Sequence, residues 1–211
     1  MYRVISATPS PYARKVRIAL AEKGVPFELV TEVPWNTDTA TPLYNPLEKL
    51  PVLIVDAETS VYESRFILEW IEAKHPAPAL MPEDIEARLA VKRFEVLGDG
   101  ICDACVLMFL ERGRTPDRQS PEWMARQARK VAGGLREIAR LLGDRERCVG
   151  DALTYADIAV GTTLRYLDVR FAENDWRTRH PHLAAFSDRI EMRPAFAATV
   201  PVAQVIRDRV A

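Results

Sequence analysis

The most informative run of residues in this sequence is Ser10-Pro11-Tyr12-Ala13-Arg14-Lys15-Val16-Arg17-Ile18-Ala19-Leu20. It follows an alternating run over residues 2–6 that predicts a β-strand, and its apolar positions share one helical face. Ser10 stands at the N-cap, and Pro11 stands in the first turn, where a missing N–H costs nothing. A hydroxyl at the positive end of a helix dipole can stabilise an anion. The stretch therefore predicts a strand, a turn and a helix, with an anion site at the turn.

The first 75 residues mix strand and helix patterns. Residues 23–26 (KGVP) end the first helix, and the alternation over residues 27–33 predicts a second strand. Residues 34–46 predict a loop with a short helical turn, and residues 52–62 predict a hairpin. We expect Ser64 to cap the next helix. The predicted order is β-α-β followed by β-β-α.

A connector rich in proline, Ala77-Pro78-Ala79-Leu80-Met81-Pro82, is the best candidate for a domain boundary. Beyond it the apolar residues keep helical spacing. Thr154-Tyr155-Ala156-Asp157 predicts a capping-box start to a helix that is apolar on most sides and therefore buried in its domain. We predict one domain over residues 1–76 and an all-helical domain over residues 84–211.

The composition is that of a globular protein, with 48% hydrophobic and 28% charged residues among 211. A net charge of -1 provides no basic field for nucleic acid or for an anionic membrane surface. No apolar run approaches the ~20 residues that span a bilayer, and residues 1–6 lack a signal-peptide pattern. Three cysteines are too few for a disulfide framework and fit a reducing compartment. We therefore expect a cytoplasmic protein with neither nucleic acid nor membrane as a partner.

Two groups of residues suggest a redox pair or a metal site, but the sequence supports neither. Cys102 and Cys105 fall within an apolar helical pattern, far from the strand-to-helix turn where a redox Cys-x-x-Cys is expected. His75, His180 and His182 do not have the spacing of a metal site. We predict no metal.

Three motifs occur together: the Ser10 turn, the run Asn45–Leu53 (NPLEKLPVL) and the run Tyr62–Ile67 (YESRFI). Together they resemble the glutathione S-transferase superfamily, and the resemblance covers nearly the whole chain. Thr154–Ala159 is similar to the buried capping motif of that family, and Arg189–Phe196 is similar to its closing helix. Within the superfamily the chain is most similar to a branch of small bacterial proteins, the YibF-like group. The resemblance implies an α/β thioredoxin-like N-terminal domain and an all-α C-terminal domain.

The resemblance also implies a glutathione site. The proline that matches Pro51 is cis in the family, which turns the N–H and C=O of Leu50 toward solvent, where an extended tripeptide can pair with them. Ser64 and the N–H groups beside it suit a carboxylate, and Glu63 suits an ammonium group, as on the γ-glutamyl end of glutathione. Lys49 can attract the glycyl carboxylate. The structural alternatives are an ordinary trans proline and a serine that only caps its helix.

The hydroxyl that matches Ser10 donates a hydrogen bond to the glutathione sulfur in the family, which makes Ser10 the candidate catalytic residue. A helix N-terminus can lower a thiol pKa from ~8.5 to between ~3.5 and ~7.5. Ser6 and Thr8 lie close by and are alternative hydroxyls. One departure is Glu48, because the family usually has glycine there; the loop can differ in shape or charge. Arg65 is expected outside the pocket, where it could join a subunit contact.

The function that this resemblance implies is conjugation of the glutathione thiolate, as co-substrate, to a small hydrophobic electrophile bound between the domains of a homodimeric glutathione transferase. A catalytically inactive binding or regulatory protein of the same fold is one alternative. A glutathione-dependent isomerase or peroxidase is another, although the Ser-Ser-Cys-Ser-like opening of the maleylacetoacetate type is absent. Cysteine-dependent deglutathionylation is disfavoured because the helix begins with serine.

Overall fold

The structure is a computed structural model that describes residues 1–208. The described chain forms two compact units, one from Met1–Pro82 with Met192–Asp208 and the other from Glu83–Glu191. The second unit begins at Glu83, and the sequence analysis expected the helical domain to begin at residue 84. Residues 192–208 differ from the prediction of a helical domain over 84–211, because they pack with the first unit. Residues 209–211 lie outside the described residues.

The first unit is a four-stranded mixed sheet with helices. Its elements are β1 (Tyr2–Ser6), α1 (Pro11–Glu22), β2 (Phe27–Thr31), α2 (Thr41–Tyr44), β3 (Val52–Ile54), β4 (Ser60–Tyr62) and α3 (Ser64–Lys74). The strand order is β2-β1-β3-β4, with β1 and β2 parallel and the other pairs antiparallel. The predicted β-α-β and β-β-α order is confirmed. The sheet is that of a thioredoxin-like domain.

The alternation of side chains along the strands gives the sheet two apolar faces. One face carries a cluster of Ile5, Val52 and Ile54, with Tyr44 of α2 and Leu50 packed against it. The residues between them, such as Val4 and Leu53, are fully buried and point to the opposite face. On this unit α1 packs against α3, and α3 contacts β3 and β4. The core thus fixes both ends of the loop that leads into β3.

The second unit is helical throughout its described residues. Its helices are α4 (Ile85–Arg112), α5 (Pro121–Leu142), α6 (Tyr155–Arg170), α7 (Trp176–Arg179) and α8 (Pro181–Glu191), with a short 3-10 turn at Pro116–Arg118. Helix α6 packs against α4 and α8, and almost all its residues up to Leu167 are buried. This confirms the prediction of a buried helix after Thr154. No helix among residues 1–208 is both long and apolar enough to cross a membrane.

The chain returns to the first unit after α8. A short helix, α9 (Pro194–Ala197), contacts α1, and the buried Arg14 of α1 donates to the carbonyl of Phe196 (3.0 Å). Arg193 forms an ion pair with Glu22 at the end of α1 (2.6 Å). These bonds are the physical reason that residues 192–208 belong with the sheet unit.

Candidate functional site

Ser10 caps the N-terminus of α1, as the sequence predicted. Its Oγ accepts a hydrogen bond from the N–H of Ala13 (3.2 Å), and its own N–H donates to the carbonyl of Ala7 (3.0 Å). The hydroxyl proton of Ser10 has no acceptor among residues 1–208. Because the residue is partly exposed, this proton is available to an anion at the positive end of the helix.

The two neighbouring hydroxyls differ from Ser10 in this respect. Ser6 Oγ donates to the carbonyl of Ala7 (3.3 Å), and Thr8 Oγ1 donates to the carbonyl of Val202 (2.8 Å). Each of these hydroxyl protons is already directed to a protein acceptor. The geometry therefore favours Ser10 over Ser6 and Thr8 as a donor to a ligand.

The loop before β3 is organised by Asn45, a residue that the sequence reasoning quoted but gave no role. The side chain is 1% exposed, its Nδ2 donates to the carbonyl of Lys49 (2.7 Å), and its Oδ1 accepts from Leu47 N–H (2.9 Å). Its carbonyl accepts from the N–H of Glu48 (2.9 Å). The Asn-Pro pair that begins the loop is the signal that could have indicated this role.

The residues that follow this loop have the features expected of a strand-pairing edge. The Leu50–Pro51 peptide bond is cis. The backbone N–H and C=O of Leu50 form no hydrogen bond with another residue of the described chain. The side chain of Leu50 packs into the apolar face of the sheet. An extended peptide could therefore pair with the Leu50 backbone as an added strand.

Glu48 has a φ of 55°, in the left-handed region that favours glycine. The structure thus gives a physical reason for the glycine that the resemblance expects at this position. Both Glu48 and Lys49 are exposed, so their charges face solvent rather than the core. The glutamate retains the turn and adds a negative charge beside the lysine.

The N-terminus of α3 corrects one expectation, because its N-cap is Glu63 and not Ser64. Glu63 has a φ of 72°, and its Oε2 accepts from the N–H of Phe66 (3.2 Å). Ser64 is the first helical residue; it is 2% exposed, and its Oγ lies 3.5 Å from Glu63 Oε1. The glutamate side chain is long enough to reach the third helical N–H, and it takes over the capping role. Arg65 is exposed, with its Nε 3.7 Å from Glu63 Oε1.

The three cysteines lie far in the sequence from the residues described above. Cys102 and Cys105 are buried in α4 and form no disulfide, and burial raises the pKa of Cys105 to about 12. Burial next to Asp157 also raises the pKa of Cys148. Across residues 1–208, no group of three His, Cys, Asp or Glu side chains converges as a metal site would require.

The strand order β2-β1-β3-β4, the cis-proline before β3 and the capped helices α1 and α3 are those of a thioredoxin-like domain. Residues 9–74 match the N-terminal domain of glutathione S-transferase, and residues 121–189 match its C-terminal domain. The chain belongs to the glutathione S-transferase family, which confirms the resemblance.

Known relatives extend over nearly the whole chain. The "Uncharacterized GST-like protein YibF" of Escherichia coli is 34% identical, covering 94% of this chain and 98% of its own length. The maleylacetoacetate isomerase of Pseudomonas aeruginosa is 30% identical, covering 90% of this chain and 91% of its own. A crystal structure of a glutathione S-transferase from Methylobacterium radiotolerans, in complex with glutathione sulfonate, is 65% identical with a TM-score of 0.98. It covers 100% of this chain and 99% of that one.

Proposed function

We propose that this protein is a glutathione transferase that joins the glutathione thiolate to a small hydrophobic electrophile, with Ser10 as the catalytic hydroxyl. The observation that carries the proposal is the uncommitted proton of Ser10, since Ser10 Oγ accepts from Ala13 while Ser6 and Thr8 donate elsewhere. A hydroxyl donor and a helix dipole that meet at one sulfur both favour its anionic form. Lowering the thiol pKa by about two units corresponds to roughly 2.7 kcal/mol.

In the proposed reaction the protein stabilises the nucleophile and forms no covalent bond with it. The bound thiol releases its proton to water, and the hydroxyl of Ser10 donates to the resulting thiolate. With an aryl halide, the sulfur electron pair forms a carbon–sulfur bond, and the halide leaves with the electrons of the carbon–halogen bond. Catalysis then depends on stabilising and orienting the thiolate.

The proposed position of glutathione uses each charged end of the tripeptide. Its cysteinyl backbone pairs with the N–H and C=O of Leu50, which have no partner within the described chain. The γ-glutamyl carboxylate meets the hydroxyl of Ser64 and the N-terminus of α3, and the ammonium group meets Glu63. Lys49 attracts the glycyl carboxylate. The relative that was crystallised with glutathione sulfonate supports this ligand class.

The first experiment is retention on immobilised glutathione, followed by ultraviolet titration of the bound thiol. Turnover is then measured with aromatic halides, hydroperoxides, epoxides and disulfides. We expect specific retention, a thiol pKa below that of free glutathione, and conjugation of at least one electrophile. Retention with an unshifted thiol pKa and no turnover would favour the inactive binding protein.

An isomerase is a second candidate because a maleylacetoacetate isomerase is 30% identical over most of both chains. The sequence around the start of α1 reads Ala7-Thr8-Pro9-Ser10-Pro11, which lacks the Ser-Ser-Cys-Ser-like opening of that type. Glutathione-dependent isomerisation of a cis double bond, in the absence of any conjugate, would favour this candidate over the transferase. A peroxidase would instead reveal itself by oxidation of glutathione with a hydroperoxide.

We also propose that the protein is a cytoplasmic homodimer. Helix α4 exposes Ile85, Leu89 and Val96, each more than half accessible in one chain. Such a stripe on one helix is typical of a surface that a second subunit covers. Sedimentation should give a dimer, and Leu89→Glu should convert it to a monomer. The three buried cysteines form no disulfide, which fits a reducing compartment; fractionation of the source cells would test this.

A further inference from the structure

The C-terminal segment Pro201–Asp208, the tail from here on, docks on the turn that carries Ser10. It has no regular secondary structure. Thr8 Oγ1 donates to the carbonyl of Val202 (2.8 Å), and the N–H of Val202 donates back to the carbonyl of Thr8 (3.4 Å). The N–H of Thr8 donates to Oε1 of Gln204 (3.2 Å). All three hydrogen-bonding groups of Thr8 therefore face the tail.

Gln204 joins this turn to the end of β2. While its Oε1 accepts from Thr8, its Nε2 donates to the carbonyl of Glu32 (3.3 Å). The N–H of Glu32 in turn donates to the carbonyl of Ser6 (2.9 Å). The side-chain amide of Gln204 thus bridges the segments that follow β1 and β2, two parallel strands whose carboxyl ends lie at the same end of the sheet.

Further along, the tail holds the loop after β2 by separate contacts. The N–H of Arg207 donates to Asn36 Oδ1 (2.9 Å), and its guanidinium pairs with both oxygens of Asp38 (2.6 and 2.7 Å). Asp208 accepts from the N–H and the hydroxyl of Thr37 (2.6 and 2.9 Å). These bonds leave Thr8 untouched, so they offer a control within the same segment.

The segment just before the tail is fixed to the helix that Ser10 caps. Arg14 is 1% exposed and donates to the carbonyl of Phe196 (3.0 Å) and to Thr199 Oγ1 (3.3 Å). The N–H of Arg14 itself donates to the carbonyl of Ser10 (3.1 Å). Arg14 therefore links the segment that leads into the tail to the helix that Ser10 caps.

We propose that the tail positions the Ser10 hydroxyl for the thiolate, with Thr8 and Gln204 as positioning residues; this rests on the function proposed above. Thr8 lies two residues before Ser10, and Pro9 between them has a fixed φ. The bond from Ser10 N–H to Ala7 closes this turn. A rotation of the backbone at Thr8 would therefore change the direction of the Ser10 side chain. A hydroxyl that is not held toward the thiolate stabilises its negative charge less.

The test compares matched variants in the full-length protein with glutathione as the ligand. Gln204→Met keeps the length of the side chain but removes both hydrogen bonds, and Thr8→Val removes the hydroxyl. We expect each to raise the pKa of bound glutathione thiol by about 0.5 to 1, which is a threefold to tenfold loss of thiolate below that pKa. Glutathione affinity should stay within about twofold. Thr8→Ser should restore the wild-type pKa.

Arg207→Ala is the control, because it breaks the pair with Asp38 and leaves the bonds of Thr8 in place; its thiol pKa should equal that of the wild type. Wild-type pKa values in both Gln204→Met and Thr8→Val would overturn the proposal, as would a change in stability or affinity alone.

Measurements on the wild-type protein and on Ser10→Ala distinguish a failure of the role proposed for Ser10 from a failure of the role proposed for the tail. If the wild type does not lower the thiol pKa, or if Ser10→Ala leaves it unchanged, the role proposed for Ser10 fails, and this inference fails with it. If both behave as expected and only the tail variants do not, the tail inference fails alone.

Discussion

Helix α6 of the helical unit is capped differently from α1 and α3 of the sheet unit. In the helical unit, the carboxylate of Asp157 accepts from the N–H and the hydroxyl of Thr154 and from the N–H of Cys148 (2.8, 3.0 and 2.8 Å). This carboxylate is completely buried. In the sheet unit, Ser10 and Glu63 each satisfy one N–H of their own helix and remain open to solvent. The first kind of cap is saturated, and the second has hydrogen-bonding capacity left.

A polar side chain at a helix N-terminus thus serves two purposes in this protein. A fully buried cap can only stabilise the fold, because no ligand can reach its carboxylate. An open cap can add a ligand to its existing bond. Ser10 retains a proton, which suits an anion, whereas Glu63 retains lone pairs, which suit a cation. The two open caps are thus complementary to the opposite charges that we propose for glutathione.

The largest expected effect is at the saturated cap. Asp157→Ala should lower the free energy of unfolding by about 3 kcal/mol, because it leaves the buried N–H groups of Cys148 and Thr154 without acceptors. Asp157→Asn retains one acceptor oxygen and should lose about half as much. Urea unfolding measures both values. Asp151→Ala, an exposed acid in the preceding loop, should stay within about 0.5 kcal/mol of the wild type. A loss below about 1 kcal/mol in Asp157→Ala would contradict the assignment.

The next effect is at the open cap of α1. Ser10→Ala should raise the pKa of the bound glutathione thiol by about 1 to 2, since the thiolate loses its donor. Far below both pKa values, the wild-type complex then holds about 10 to 100 times more thiolate than the variant. This ratio falls to one as the pH rises above the pKa of the variant. Affinity for glutathione should change little, because the ligand is anchored elsewhere.

An ultraviolet titration of the complex minus that of the free protein measures this prediction. Cys105 and Cys148 contribute little to the signal near neutral pH because their pKa values are raised. Ser10→Thr should restore much of the effect, and Ser6→Ala, whose hydroxyl donates to Ala7, should have none. Coincident curves for wild type and Ser10→Ala would transfer the role to Thr8 or to a backbone N–H.

A smaller effect is expected at the open cap of α3. Glu63→Gln keeps an acceptor for Phe66 N–H but removes the charge, and it should weaken glutathione binding about tenfold. Ser64→Ala should weaken it about fivefold through the loss of one hydroxyl. Calorimetric titration with glutathione and with an analogue that lacks the α-amino group separates the two residues. Only Ser64→Ala should weaken the analogue. Unchanged affinity for glutathione in both variants would refute the placement of the γ-glutamyl end.

The smallest effect concerns the two left-handed residues. Glu48→Gly should raise the free energy of unfolding by about 0.5 kcal/mol, because relief at φ 55° exceeds the entropy that glycine adds to the unfolded chain. Glu48→Ala retains the strain and should show no gain. Glu63→Gly relieves a similar φ of 72° but deletes the cap, so it should be destabilising. Thermal unfolding of the three variants checks this order. A stabilised Glu48→Ala variant would show that the charge of Glu48, and not its left-handed backbone, lowers the stability.

Much of this architecture could be predicted because it depends on neighbours in the sequence. The alternation over residues 2–6, the cap at Ser10 and the capping box that starts at Thr154 all involve residues within four positions of each other. The boundary near residue 83 follows from the proline-rich connector and the change of period. The cap of α3 was predicted one residue late, since Glu63 and Ser64 are both plausible caps and only the left-handed backbone at Glu63 distinguishes them.

Short-range hydrogen bonding and side-chain periodicity were enough for the sequence alone to specify the strands, the main helices, the caps of α1 and α6 and the family to which the chain belongs. The engagement of the Thr8 hydroxyl is visible only in the tertiary structure, because Thr8 Oγ1 donates to the carbonyl of Val202, 194 positions away. The N–H of Thr8 donates to Oε1 of Gln204, 196 positions away. Periodicity cannot encode such a contact, because it arises from packing and not from spacing along the chain.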